Sequence, residues 1–151
     1  VDKMPDVNGL VVHTAGSVDI QVFSHKFPNY GVLYPLQSFS KHREINLQET
    51  PFLIESNSKN NTELLSIFAK KMSNSVIDTN FEKRLKIHLA AVFASNFGNH
   101  MASIASLLLT EANIPFDIMK PLLEETYNKI LTDGSIISQT GPAKRTDVKI
   151  L

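Results

Sequence analysis

From Thr79 to Asn113 the chain runs without a proline or a turn cluster. Thr79 followed by Glu82 has the pattern of a capping box, and Asn113 with Pro115 gives a stop signal. The stretch predicts one helix of about 30 residues, roughly 45 Å long at 1.5 Å per residue. A 100-residue domain has a radius of gyration of about 13 Å, or roughly 26 Å across. One small core cannot wrap such a helix, so part of it should protrude or be covered by a second chain.

Within this stretch, residues 87–100 read IHLAAVFASNFGNH, apolar enough for burial yet carrying two histidines and two asparagines. Advancing about 100° per residue from His88, Arg84, Ser95, Asn96, Asn99, Ser103, Ser106 and Thr110 fall in one sector, with His100 at its margin. Phe93, Phe97, Met101, Ile104 and Leu108 form the opposite face. The polar sector is lined by alanines and Gly98 rather than by charges, which lets a backbone or ligand approach closely. Two readings are open: the amides and imidazoles are satisfied in helix packing, or they wall a cleft. In the second, His88 is suited to proton transfer, because the ordinary pKa of an imidazole, about 6.5, lies near working pH, and asparagine orients a carboxylate or carbonyl without ionising. No metal site is expected, because His88 and His100 lie about 18 Å apart along a helix and no carboxylate accompanies them.

Upstream, the pattern is different. Residues 10–14 (LVVHT), 31–36 (GVLYPL), 51–56 (PFLIES) and 75–79 (SVIDT) are short apolar runs bounded by turn residues, as strands are. Pro35 and Pro51 mark the second and third strands as edges or as ending there. Between the last two runs, Asn60 followed by Glu63 suggests an N-cap, and Leu64, Leu65, Ile67 and Phe68 an apolar stripe. That gives a strand, helix, strand unit. Downstream, a second helix is expected over about residues 116–131, opened by Pro115 or Asp117, with Pro121 in its first turns and a close near Gly134.

Fifteen basic residues balance fifteen acidic ones, so neither nucleic acid nor an anionic membrane is an expected partner. Cysteine is absent, which removes disulfides and thiolate chemistry, and a cytoplasmic location is expected. The longest apolar run falls far short of the ~20 residues of a membrane span. Neither G-x-G-x-x-G nor G-x-x-x-x-G-K occurs, and there is no G-x-S-x-G elbow. The opening residues reach a strand at once and read as the middle of a longer protein.

Taken in order, VVHTAGS, YGVLYPLQSFSKHRE, HLAAVFASNFGNH, PFDIMKPLLEET and QTGPAKRTD resemble a family of Rossmann-like NAD(P)-binding oxidoreductases of unknown substrate. That family looks like a distant relative of pyrroline-carboxylate reductase and the hydroxyacid dehydrogenases. The resemblance implies a fold class: an α/β remnant of a Rossmann-like domain over residues 1–79, then an all-α helical dimerisation domain like the phosphogluconate dehydrogenase C-terminal domain. The latter would span residues 80–151 and be incomplete at its C-terminus. NADP or NAD would be held mainly by a glycine-rich N-terminal part absent here, so this chain alone would be inactive.

The resemblance also implies positions. Thr14 and Gly16 would lie near the cofactor and Ser17 near a substrate. Tyr34, Gln37 and Ser38 would reach a bound acid, and Arg145 an anionic group. His88 and Asn96 sit in the helix that carries a catalytic lysine and a nearby asparagine in hydroxyacid dehydrogenases. Here that lysine is absent. The leading reading is the substrate-side and dimerisation part of an NAD(P)-dependent oxidoreductase for a small, polar, carboxylate-bearing substrate. In it His88 is general acid or base and Ser17, Gln37, Asn96, Asn99 and His100 orient the substrate. The alternative is a non-catalytic dimerisation or ligand-sensing module. A homodimer through the long helix is expected, with Phe97 and Met101 near the contact.

Overall fold

The apolar runs form strands within a residue of where turn residues bound them. The structure is a computed structural model and describes residues 1–141 and residue 144. It contains β1 (Val11–His13), β2 (Tyr30–Pro35), β3 (Phe52–Ser56) and β4 (Val76–Asp78) in one mixed sheet of order β1-β2-β3-β4. β1 and β2 are parallel, β2 and β3 antiparallel, and β3 and β4 parallel. Neither β2 nor β3 is an edge. Pro35 and Pro51 instead stand at strand ends, where a missing N–H costs the ladder nothing, and Leu36 N–H donates to the Pro51 carbonyl at 2.8 Å just past the ladder.

The period of two along each strand separates two faces. On one, Val11, Tyr30 and Val32 pack with Ile20, Phe23 and Phe27 from the β1–β2 connection, and Tyr34 lies partly buried at the margin. On the other, Leu33, Phe52 and Ile54 meet Leu65 and Ala69 of α1 (Lys59–Lys70). Burying each large side chain contributes about 1.5–3 kcal/mol. The sheet is thus covered on both sides.

Two expectations about α1 change. Its N-cap is Ser58, whose side chain accepts from Asn61 N–H, rather than Asn60. Its buried stripe is Asn61, Leu65 and Ala69, while Leu64, Ile67 and Phe68 are 54%, 61% and 52% exposed. The cause is polar and steric. Asn61 Nδ2 donates to the side-chain oxygens of Asn29 (3.1 Å) and Asn57 (2.9 Å), which turns that edge of the helix inward. Gly31 lets it close, since a Cβ there would lie 3.2 Å from Leu65 Cδ1 and 2.4 Å from the Glu55 carbonyl oxygen.

The long helical stretch is real but interrupted. α2 (Phe81–Ala91) leads directly into a π-helical turn (Val92–Phe97) and then α3 (Gly98–Glu111). Its N-cap is Asn80, accepting from Lys83 N–H at 2.9 Å, not Thr79, whose hydroxyl donates to the Ile54 carbonyl at 3.1 Å. The end is as the sequence implied. Asn113 adopts φ 57°, Ile114 N–H donates to the Leu109 carbonyl and Asn113 N–H to that of Thr110, the paired bonds of a left-handed helix stop. A short 3-10 turn (Phe116–Met119) then leads into α4 (Lys120–Asp133), with Pro121 in its first turn and Gly134 at its close with φ 89°.

The chain forms two compact units, Val1–Gly98 and Asn99–Leu151. The first holds the sheet, α1 and α2. The second holds α3 and α4, neither of which buries a residue fully. Among the described residues no helix is long and apolar enough to cross a membrane.

Candidate active site

β1 and β2 are parallel, so their C-terminal ends lie together, and the backbone leaving β1 turns through Thr14, Ala15 and Gly16 beside Tyr34 near the end of β2. α2 crosses this end and brings Arg84 and His88, one helical turn apart, onto the same surface. Tyr34 OH and His88 Nδ1 are 3.0 Å apart, their rings edge to face with centroids at 5.8 Å. Gly16 fits beneath both rings: a Cβ there would lie 2.4 Å from His88 Nδ1 and 2.9 Å from Tyr34 Cζ. Only hydrogen fits at that position without moving the pair.

The turn carrying Gly16 is fixed from below by Arg84, which is 0% exposed. Its guanidinium donates to the Ala15 carbonyl (3.0 Å), the Gly16 carbonyl (2.8 Å) and Glu55 Oε2 (3.1 and 3.3 Å). Phe81 packs against it at 5.4 Å. A buried guanidinium is tolerable only when its donors are met, and here a carboxylate and two carbonyls meet them. Arg84 therefore ties the sheet, the β1 turn and α2 at one point.

His13 completes this wall. Its Nδ1 accepts from Ala15 N–H at 3.2 Å, whereas its buried Nε2 has no hydrogen-bond partner among the described residues. Burial and then the neighbouring Arg84 charge push its pKa down, against weaker raising effects from the Asp19 carbonyl and carboxylate. Burial likewise raises the pKa of the Tyr34 phenol.

Above the Tyr34–His88 pair is a cavity of about 410 Å³, lined by Tyr34, Leu36, Gln37, Ser38, His88, Ala91, Val92, Ser95 and Asn96. Its far wall is the π-helical turn. Such turns insert a residue into a helix and are frequent at functional sites; this one directs Ser95 and Asn96 to the cavity. The Ser95 and Asn96 positions, which a straight projection from His88 also places in its sector, reach the cavity through this turn.

Of the residues singled out from the sequence, Tyr34, Gln37, Ser38, His88 and Asn96 come together around this cavity. Gly16 lies beneath the pair, and Thr14 and Ser17 are exposed on the adjoining turn. Asn99 and His100 belong to the second unit and are exposed. Arg145 lies outside the described residues. Sequence reasoning missed the roles of Arg84, Glu55 and His13. A signal existed for two of them: an arginine four residues before His88 among small residues, and a carboxylate inside the apolar run PFLIES.

Residues 50–151 match the family described as Domain of unknown function (DUF2520), and the chain belongs to that family. No curated protein matches it. Among solved structures it is similar to the Bacteroides fragilis protein BF3122, named a "putative NADP oxidoreductase", with 46% identity and a TM-score of 0.86 over 93% of this chain and 54% of that one. It is also similar to protein TM1727 from Thermotoga maritima, with 23% identity and a TM-score of 0.77 over 95% of this chain and 58% of that one. The second likeness concerns the fold alone. The chain therefore spans somewhat more than half the length of either structure.

Proposed function

We propose that this chain is the substrate-side part of a nicotinamide-dependent oxidoreductase acting on a small, polar, carboxylate-bearing molecule, with His88 as general acid or base. The observation that carries this reading is His88 itself, an imidazole fixed through Nδ1 at the edge of a cavity otherwise lined by an amide pair, two serines and apolar side chains. The similarity to a protein named a "putative NADP oxidoreductase" supports the reaction class.

The cavity suits only one end of such a cofactor. At about 410 Å³ it has room for a nicotinamide ring or a small acid, and Gln37, Ser38, Ser95 and Asn96 offer donors and acceptors to a carboxamide or carboxylate. A pyrophosphate cradle is a different matter. The six glycines are too scattered for a G-x-G-x-x-G turn, and the Cα side of Gly16 is filled by His88 and Tyr34. A bound nicotinamide would supply or accept the hydride. This chain's own residues would hold the substrate: Gln37, Ser38 and Asn96 orient its polar end, Leu36 and Val92 exclude water, and His88 gives a proton from Nε2. We further propose that the protein self-associates through the apolar face of its long helix, where Phe97 and Met101 are exposed.

The test is hydride transfer by the full-length protein over a panel of small keto and hydroxy acids, comparing wild type with His88→Gln. Loss of a general acid or base should lower turnover about 10²–10⁴-fold, with thermal stability nearly unchanged. A variant with normal turnover would remove His88 from the chemistry.

A further inference from the structure

The Tyr34–His88 contact has a direction as well as a length. We propose that Tyr34 is a positioning residue that fixes neutral His88 as the Nε2–H tautomer, so that the cavity presents an N–H donor and takes ligands through a carbonyl or carboxylate oxygen. The ligand half rests on the reading of the cavity as a substrate site. The tautomer half does not.

Two arrangements satisfy a 3.0 Å separation between Tyr34 OH and His88 Nδ1: the phenol donates to a bare Nδ1, or a protonated Nδ1 donates to the phenol oxygen. Chemistry favours the first. A phenol is the stronger donor and a bare imidazole nitrogen the stronger acceptor, and the tautomer of an imidazole is set by the bond its other nitrogen makes. Burial raises the Tyr34 pKa, so the hydroxyl keeps its proton and remains a donor near neutral pH. Among the described residues that hydroxyl has no other partner to receive it.

Sterics hold the arrangement in place. Gly16 lies against both rings, and its carbonyl is anchored by Arg84 at 2.8 Å, so the imidazole cannot settle back from the phenol. Neutral His88 is then an N–H group facing a cavity in which Gln37, Ser38 and Asn96 also offer donors. The Nε2–H favours a ligand oxygen over an ammonium, and the two amides and the hydroxyl can each turn a donor toward that oxygen.

The experiment is a two-bond 15N–1H correlation spectrum at about pH 8.5, well above an ordinary imidazole pKa of about 6.5, with His88 assigned by its loss in His88→Gln. Wild type should show Nε2 protonated and Nδ1 bare and hydrogen-bonded. Tyr34→Phe, with amide dispersion confirming its fold, should give a tautomer mixture, and Gly16→Ala should do the same by displacing the ring. Wild type protonated mainly at Nδ1, or a Tyr34→Phe spectrum identical to wild type, overturns the tautomer assignment. Acetate titrated into the wild type should move His88 Nε2 more than any other imidazole nitrogen. An even response over the five histidines, or none, overturns the ligand class. Neither result depends on turnover, so a failed His88→Gln assay would be recognised separately.

Discussion

α2 and α3 follow one another in the chain with only a π-helical turn between them, yet they use their side chains in opposite ways. α2 buries an arginine completely. α3 buries nothing, and its Met101, Ile104 and Leu108 are 55%, 40% and 62% exposed. By hydropathy alone the assignment would be reversed. The difference shows that burial follows available partners: Arg84 has a carboxylate and two carbonyls waiting at the sheet, whereas the apolar residues of α3 find no such surface among the described residues of their own unit.

The largest way to break this comparison is Arg84→Met. If the buried charge is held in place by its partners, removing it leaves Glu55 and two carbonyls unpaired in a dry site, and urea denaturation should show a loss of about 3–5 kcal/mol. Adding Glu55→Leu should restore part of that loss, because the orphaned carboxylate is then gone too. A single variant as stable as wild type would mean that α2 is held by its apolar contacts alone.

On the other side of the comparison stands the exposed apolar face. Phe93 and Phe97 lie tilted against one another with centroids 5.1 Å apart while remaining 62% and 46% exposed, and α3 by itself exposes Met101, Ile104 and Leu108. Large exposed apolar patches mark interaction sites. With the proposed self-association, Phe97→Asp should weaken the dimer by at least about 2 kcal/mol, roughly thirty-fold in dissociation constant, without lowering the unfolding free energy of the first unit. Sedimentation equilibrium reads both proteins. A wild-type monomer at tens of micromolar would end the proposal.

These two halves were not equally legible in the sequence. The strands showed themselves because period-two apolar runs bounded by Gly, Pro, Asn and Ser are local signals, and the Asn113 stop depends on a residue that tolerates a left-handed backbone. That His88, Tyr34, Gln37, Ser38 and Asn96 belong together was suggested by a family resemblance and a polar stripe, and the five line one cavity. What stayed hidden depends on tertiary choices. Ser58 and Asn80 cap their helices in place of equally plausible neighbours, Leu64 and Phe68 point outward because Asn61 finds amide partners 32 and 4 residues away, and nothing local announces the π-helical turn. Arg84 was visible as a polar residue in the right sector, but its burial depends on Glu55, 29 residues earlier.

The smallest effect sharpens the comparison at His13, beside Arg84. Its pKa is depressed from an ordinary 6.5 by burial first and by the Arg84 charge second. The unfolded chain therefore binds a proton at His13 more readily than the folded one does. The sign follows from linkage: stability attributable to this ring is fully present above about pH 6.5 and declines as pH falls toward the depressed folded value, because protonation favours the unfolded state. Asp19 pulls the other way, through its carbonyl and its carboxylate, which keeps the effect modest. His13→Gln retains an oxygen to accept the Ala15 N–H and cannot titrate, so it provides the reference. Between about pH 7 and 5, thermal unfolding of the wild type should lose ground against His13→Gln, with the other histidines common to both proteins cancelling. In an Arg84→Met background, if it folds, the gap should narrow, since one cause of the depression has been removed. Parallel curves for wild type and His13→Gln would show that His13 titrates alike folded and unfolded, and that the polar surface beneath α2 is wetter than its burial implies.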